Sequence, residues 1–127
     1  MAGETFGQRI RRLRKTRKLT QRELADRVAA GLHEEGRGFD VTYLSKIENG
    51  HMPPPSTAAI LRLAEVLDDD SDELLAVAGK APPDLGQTLK ESEGARIFYR
   101  SAVDLGLSEE DWKNLVQQLR SKKKKKK

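Results

Sequence analysis

Apolar residues in the first eighty positions of this chain recur every three or four residues, and no stretch reads as a convincing strand, so the pattern predicts helices throughout. Phe6, Ile10 and Leu13 form one stripe inside "TFGQRIRRLRKTRK". That stripe predicts a first helix over about Thr5 to Arg17, with Arg9, Arg11, Arg12 and Lys15 on its exposed side. Thr20 with Glu23 three residues on is a capping box, flanked by Leu19 and Leu24 as a hydrophobic staple, so a second helix starts at Gln21. Leu24, Val28 and Leu32, at steps of four, carry it to about His33, and the two glycines of "EEGRGF" then break it. Asp40 caps a third helix that runs through Glu48 and ends at Asn49-Gly50. "HMPPPS" is an extended connector, because consecutive prolines donate no backbone hydrogen bonds. Ser56 caps a fourth helix with Ile60, Leu63, Ala64 and Leu67 inward, and Asp70 or Ser71 opens a short fifth that ends near Gly79.

"GKAPPDLG" reads as a boundary. Beyond it, Ile97, Phe98 and Val103 predict one helix and "LSEEDWKNLVQQL" another, with Ser108 as N-cap and Leu107 against Trp112 as staple. Trp112, Leu115, Val116 and Leu119 suit a core stripe or a dimer seam. The lysines at 122–127 repel one another and are expected to be disordered. The chain is therefore expected to be all-α: a unit of five helices over residues 1–79, a linker at 80–84, a small helical region at 85–121 and a lysine tail at 122–127.

The third helix carries an unusual distribution of polar groups. At about 100° per residue, Leu44 and Ile47 share one side, while Thr42, Ser45, Lys46 and Asn49 share the other. That polar face offers hydroxyls, an amide and an ammonium, and no carboxylate. By itself it suits either an ordinary solvated surface or a helix entering a groove of base edges between two rows of phosphates. The one acid, Glu48, falls beside Leu44. A carboxylate taken out of water there costs several kcal/mol unless it is paired, and the first helix can supply Arg14.

The order of these motifs carries a resemblance. "RKTRKLTQRELADRV", then "TYLSKIENG", then "PPSTAAILRLAEVL" and "SDELL" resemble the helix-turn-helix domain of the Cro and phage-repressor (XRE-type) regulators over roughly residues 6 to 79. The resemblance implies a five-helix lambda-repressor-like DNA-binding domain and an ion pair between Arg14 and Glu48. It also implies that Gln21 grips a phosphate, and that Val41, Thr42 and Lys46 read bases, with Ser45 as a further candidate. Lysine can donate to guanine O6 or N7, and threonine or valine can touch a thymine methyl. Thr20, Gln21 and Tyr43 would position the protein on the backbone without reading sequence. The loop after "ENG", which often carries a phosphate-binding cation in such regulators, holds only His51 before the prolines. "AGLHEEGRG", residues 30–38, is an insertion where the family has a short turn. It reads as a surface extension, although Arg37 could touch DNA, or Leu32 and Phe39 a partner subunit.

Charge sharpens the picture by region. Residues 1–50 carry 11 Lys and Arg against 7 Asp and Glu, whereas residues 51–121 carry 7 against 13. A polyanion would meet the N-terminal part first. The basic side of the first helix reads as a solvated face or a phosphate ladder. The absence of cysteine removes disulfides, thiolate metal sites and thiol nucleophiles. His33 and His51 share no ligand spacing, so no metal or cofactor is expected. No nucleophile, base and orienting group converge, which leaves an enzyme the weakest class. With no signal peptide and no membrane span in view, a cytoplasmic, nucleoid-associated protein is expected. The leading expectation is a sequence-specific double-stranded DNA-binding repressor acting as a homodimer on a palindromic operator. The alternative is an antitoxin or adaptor whose acidic C-terminal part binds a protein partner such as a toxin or a regulatory protease.

Overall fold

The computed structural model describes residues 3–32 and 38–125, and among these the secondary structure is helical with no strand. The helices are α1 (Phe6–Thr16), α2 (Gln21–Ala30), α3 (Val41–Glu48), α4 (Thr57–Leu67), α5 (Ser71–Val77), α6 (Pro83–Glu91), α7 (Glu93–Leu105) and α8 (Glu109–Lys125). They fall into two compact units, residues 1–82 and 83–127.

In the first unit, each helix starts on a side chain that satisfies backbone donors of its first turn. Thr5 and Thr20 form reciprocal capping boxes with Gln8 and Glu23, and Asp40, Ser56 and Asp70 cap α3, α4 and α5. The apolar stripes converge on one core built from Phe6, Ile10, Leu24, Val28, Leu44, Ile47, Ile60, Leu63, Leu67, Leu74 and Leu75. Burying each of these apolar side chains contributes about 1.5–3 kcal/mol. Within this core α3 packs against both α1 and α2, and α4 against α2 and α5.

The cationic side of α1 differs from expectation. Arg9 is a clamp and not a solvated charge: its Nε and Nη2 donate to the two carboxylate oxygens of Asp69, each at 2.9 Å. Arg17 donates to the Leu67 carbonyl and to Asp68 at the same α4–α5 corner. The corner itself turns on Asp68 in the left-handed region (φ 55°), closed by the Asp69 N–H donating to the Ala64 carbonyl at 2.9 Å. Arg12 is held by Glu4 at 2.7 Å in an exposed pair. Arg11 and Lys15 remain exposed. Ion pairs that close over 60 residues have no local signature, so helical periodicity alone placed Arg9 in solvent.

In the second unit, α6 begins inside the expected linker. Proline at the first helical position forfeits only an N–H that has no helical partner there, so "PPDLG" starts a helix as readily as it breaks one. Ser92 caps α7, its Oγ accepting from the Ala95 N–H at 3.0 Å, and Gly106 ends that helix. Ser108 and Asp111 bond reciprocally at the start of α8. The first lysines of the terminal run, through Lys125, continue α8 where disorder was expected. Lysine has good helix propensity, and cations in a last turn interact favourably with the helix dipole. Lys126 and Lys127 lie outside the described residues. Among the described residues no helix is long and apolar enough to cross a membrane.

Candidate nucleic-acid interface

The geometry of α3 is fixed from both ends and from beneath. At its start, the Asp40 carboxylate accepts from the Tyr43 N–H at 2.8 Å. At its end, Gly50 adopts φ +76° and the His51 N–H donates to the Lys46 carbonyl at 2.8 Å. Leu44 and Ile47 anchor it in the core. Beneath it lies Gly7 of α1. A Cβ on Gly7 would collide with the Ile47 carbonyl oxygen and stand 2.9 Å from that of Glu48. The missing side chain therefore lets α1 support the C-terminal end of α3 at backbone contact distance.

A polar cluster locks the same corner. Arg14 Nε donates to Glu48 Oε2 at 2.7 Å and its Nη2 to Oε1 at 3.0 Å, a two-pronged pair in which the carboxylate side chain is 1% exposed. Arg14 Nη1 donates to the Leu19 carbonyl at 2.9 Å, and Gln21 Nε2 donates to Glu48 Oε1 at 3.0 Å. One guanidinium thus ties α1, the α1–α2 turn and α3 together, and Gln21 brings in α2. That turn includes Lys18 in the left-handed region at φ 58°. No buried side-chain nitrogen or oxygen among the described residues lacks a hydrogen-bond partner.

The entry to α3 contains the insertion. Residues 33–37, Arg37 among them, lie outside the described residues. Leu32 and Phe39 on either side are buried at 8% and 4% exposure, so neither is available to a partner subunit. Phe39 meets Tyr43 edge-to-face with ring centres 5.4 Å apart. Core anchors at both ends of the insertion explain how α3 keeps its seat beside α2. Near the end of α2, Arg62 of α4 donates to the Arg27 carbonyl at 2.8 Å.

The expected base readers sit on the outward side of α3. Thr42 and Lys46 are exposed, and Val41 and Ser45 are half-buried. Asn49 is exposed, and its Nδ2 lies 3.4 Å from Ser45 Oγ. Of the expected phosphate contacts, Thr20 and His51 are exposed, and Tyr43 and Gln21 are half-buried. The Thr20 hydroxyl oxygen accepts from the Glu23 N–H at 3.0 Å. The Thr20 N–H in return donates to Glu23 and holds its carboxyl below the usual range. Gln21 has one amide proton committed to Glu48, which sequence spacing could not reveal. Also missed were Gly7, whose only signal was an isolated glycine inside a helical stripe, and the Arg9–Asp69 clamp. The guanidinium of Arg9 holds Asp69 below the usual aspartate range. Among the described residues no group of three or more His, Asp or Glu is placed to hold a metal ion.

A helix presenting hydroxyls and an ammonium outward, with its only carboxylate tied behind it and a second helix braced against it, defines a helix-turn-helix DNA-binding domain. Residues 7–80 match the helix-turn-helix domain family, and the chain belongs to that family as an XRE-type, DNA-binding transcription regulator. It is 32% identical over 122 residues to the uncharacterized HTH-type transcriptional regulator RghRB of Bacillus subtilis (strain 168), covering 89% of this chain and 81% of the relative. It is 38% identical over 115 residues to the HTH-type transcriptional repressor RghR of the same organism, covering 89% of this chain and 73% of that one. No solved structure matches.

Proposed function

We propose that this chain is a repressor that binds a palindromic operator as a homodimer, laying α3 of each copy in the major groove of successive half-sites. The observation that carries the reading is the exposure of Thr42 and Lys46 on α3 while Glu48 is buried behind them. Val41, Thr42, Ser45 and Lys46 are the base readers. Lys46 donates to a guanine edge, and Val41 and Thr42 meet thymine methyls or hydrogen-bond acceptors. Thr20, Gln21, Tyr43 and His51 contact phosphates. Gln21 does so with its backbone N–H, which has no helical acceptor in the first turn, and with the amide proton that Glu48 does not use. A single such domain reads too few base pairs to select one site in a genome, so two copies on half-sites about one helical turn apart are needed. Repression rather than activation is supported by the name of the relative RghR. The protein acts at the nucleoid, in the cytoplasm.

A second reading, an adaptor or antitoxin that binds a toxin or a regulatory protease, is favoured by one observation. α7 exposes Phe98, Tyr99 and Val103 at 51–61%. Selection of bound fragments from genomic DNA tests the first reading. An inverted repeat with centres about 10–10.5 base pairs apart, or a multiple, is expected. Recovery of fragments without a shared motif would reject it.

A further inference from the structure

The three helices of the second unit bury very little of their own apolar surface. Ala102 is its one buried hydrophobic residue among those described, while Trp112, Val116 and Leu119 of α8 are 41%, 45% and 61% exposed. Together with Leu115 they form a stripe at i, i+3, i+4 and i+7, about 100° wide, which is the seam of a helix that packs on another helix. The charges beside that seam are ordered along the helix. Its first turn holds Glu109, Glu110 and Asp111, and its second half holds Arg120, Lys122 and Lys123. On a helical wheel at about 100° per residue, Glu109 and Arg120 lie within about 20° of each other along one flank. Asp111 and Lys122 lie equally close along the other.

We propose that α8 pairs with α8 of a second copy of this chain, antiparallel about a two-fold axis between Leu115 and Val116. Turning one helix end over end about that point sets Trp112 against Leu119 of the partner subunit, and sets Leu115 and Val116 each against the same residue of the partner subunit across the axis. It brings Glu109 beside the partner's Arg120 on one flank and Asp111 beside the partner's Lys122 on the other. A two-fold axis repeats each pair, so four oppositely charged pairs flank one apolar seam. Parallel pairing of the same helices sets acid against acid and base against base, which is unfavourable. A self-complementary surface of this kind selects a second copy over an unrelated partner. The inference rests on the homodimer reading above and says which surface makes the dimer.

Sedimentation equilibrium of the full chain without DNA tests it, using Glu109→Lys, Arg120→Glu and the double variant. Asp111 is left alone because its carboxylate accepts from the Ser108 N–H. Each single change turns two attractive pairs into repulsive ones and is expected to raise the dimer dissociation constant about tenfold, with the effect fading in high salt. The double variant restores opposite charges and is expected to return to within about threefold of wild type. It does so although both substitutions oppose the helix dipole, so recovery cannot come from a stronger helix. A wild-type chain that stays monomeric overturns the homodimer reading together with this one. A dimer that neither single change weakens, or that the double change fails to restore, overturns the antiparallel α8 pairing and leaves the homodimer standing. Because the chain has no cysteine, a second measurement is clean. Val116→Cys sits at the two-fold axis and is expected to form an intersubunit disulfide, whereas Trp112→Cys lies too far from its copy to do so. Equal cross-linking of both indicates parallel pairing and overturns the proposal.

Discussion

Replacing Glu48 with alanine removes the centre of the cluster that seats α3. The variant leaves the Arg14 guanidinium with only the Leu19 carbonyl and releases Gln21 Nε2. Removing one partner of a buried pair costs about 3–5 kcal/mol, because the other charge stays out of water unpaired. Arg14 is 11% exposed against 1% for Glu48, so water can reach the guanidinium, and the lower end of that range, about 3 kcal/mol, applies. For a unit of 82 residues, each kcal/mol lowers the melting temperature by about 4–8 °C, giving a fall of roughly 12–24 °C. Urea denaturation of wild type and Glu48→Ala measures that loss, and the cycle of wild type, Glu48→Leu, Arg14→Met and the double variant Arg14→Met/Glu48→Leu measures the coupling. The double variant removes both charges and fills the space, so it is expected within about 1 kcal/mol of wild type, leaving a coupling of about 2 kcal/mol or more. A loss below about 1 kcal/mol for Glu48→Ala, the value of an exposed pair, would show that the cluster is open to solvent and does not hold α3.

Three further outcomes follow from the packing and the hydrogen bonds. Gly7→Ala gains about 1 kcal/mol of helix propensity but drives a methyl into two backbone carbonyls that cannot rotate away, so a net loss of about 1–2 kcal/mol is expected in thermal unfolding. Gly86→Ala, with open space around its Cβ position, is the control and is expected to lose nothing. Asp69→Asn is expected to be less stable than wild type at pH 7. Arg9 lowers the folded-state pKa of Asp69, so the carboxylate's contribution is complete above the ordinary aspartate value of roughly 3.9 and disappears as pH falls through the lower folded value. The two stability curves should therefore converge in acid, and a constant gap would place the cause elsewhere. Gln21→Ala is expected to weaken binding to all DNA sequences about equally, and a change in sequence preference would make Gln21 a base reader.

Much of the first unit was legible because its signals are local. The Thr20–Glu23 box, the Asp40 and Ser56 caps, the Asn49-Gly50 stop and the steps of three and four among Leu24, Val28, Ile60 and Leu63 each lie within one turn or two. The outward set of α3 was equally legible, since 100° per residue decides which of Thr42, Leu44, Lys46 and Ile47 share a side. What distant pairing decides was not legible. Arg9 reaches Asp69 across 60 positions, and its fate as a clamp depends on where the α4–α5 corner falls. Gly7 is informative only once the Ile47 carbonyl lies against it. α6 was hidden because proline opens a helix by the same property that makes it close one. Phe39 follows polar, glycine-containing sequence that gave no sign of burial, yet with Leu32 of the second-helix stripe it serves as a core anchor of the insertion.

The proposed role of the exposed side of α3 is to read base pairs. Its most direct test is a binding profile of wild type and Lys46→Ala over a library in which each position of the selected half-site is randomised. Loss of discrimination at a single base pair in each half-site, about 1–3 kcal/mol for a good contact and toward the lower end for a flexible lysine, is the expected result. A profile unchanged in shape and lowered uniformly, or unchanged altogether, would contradict it.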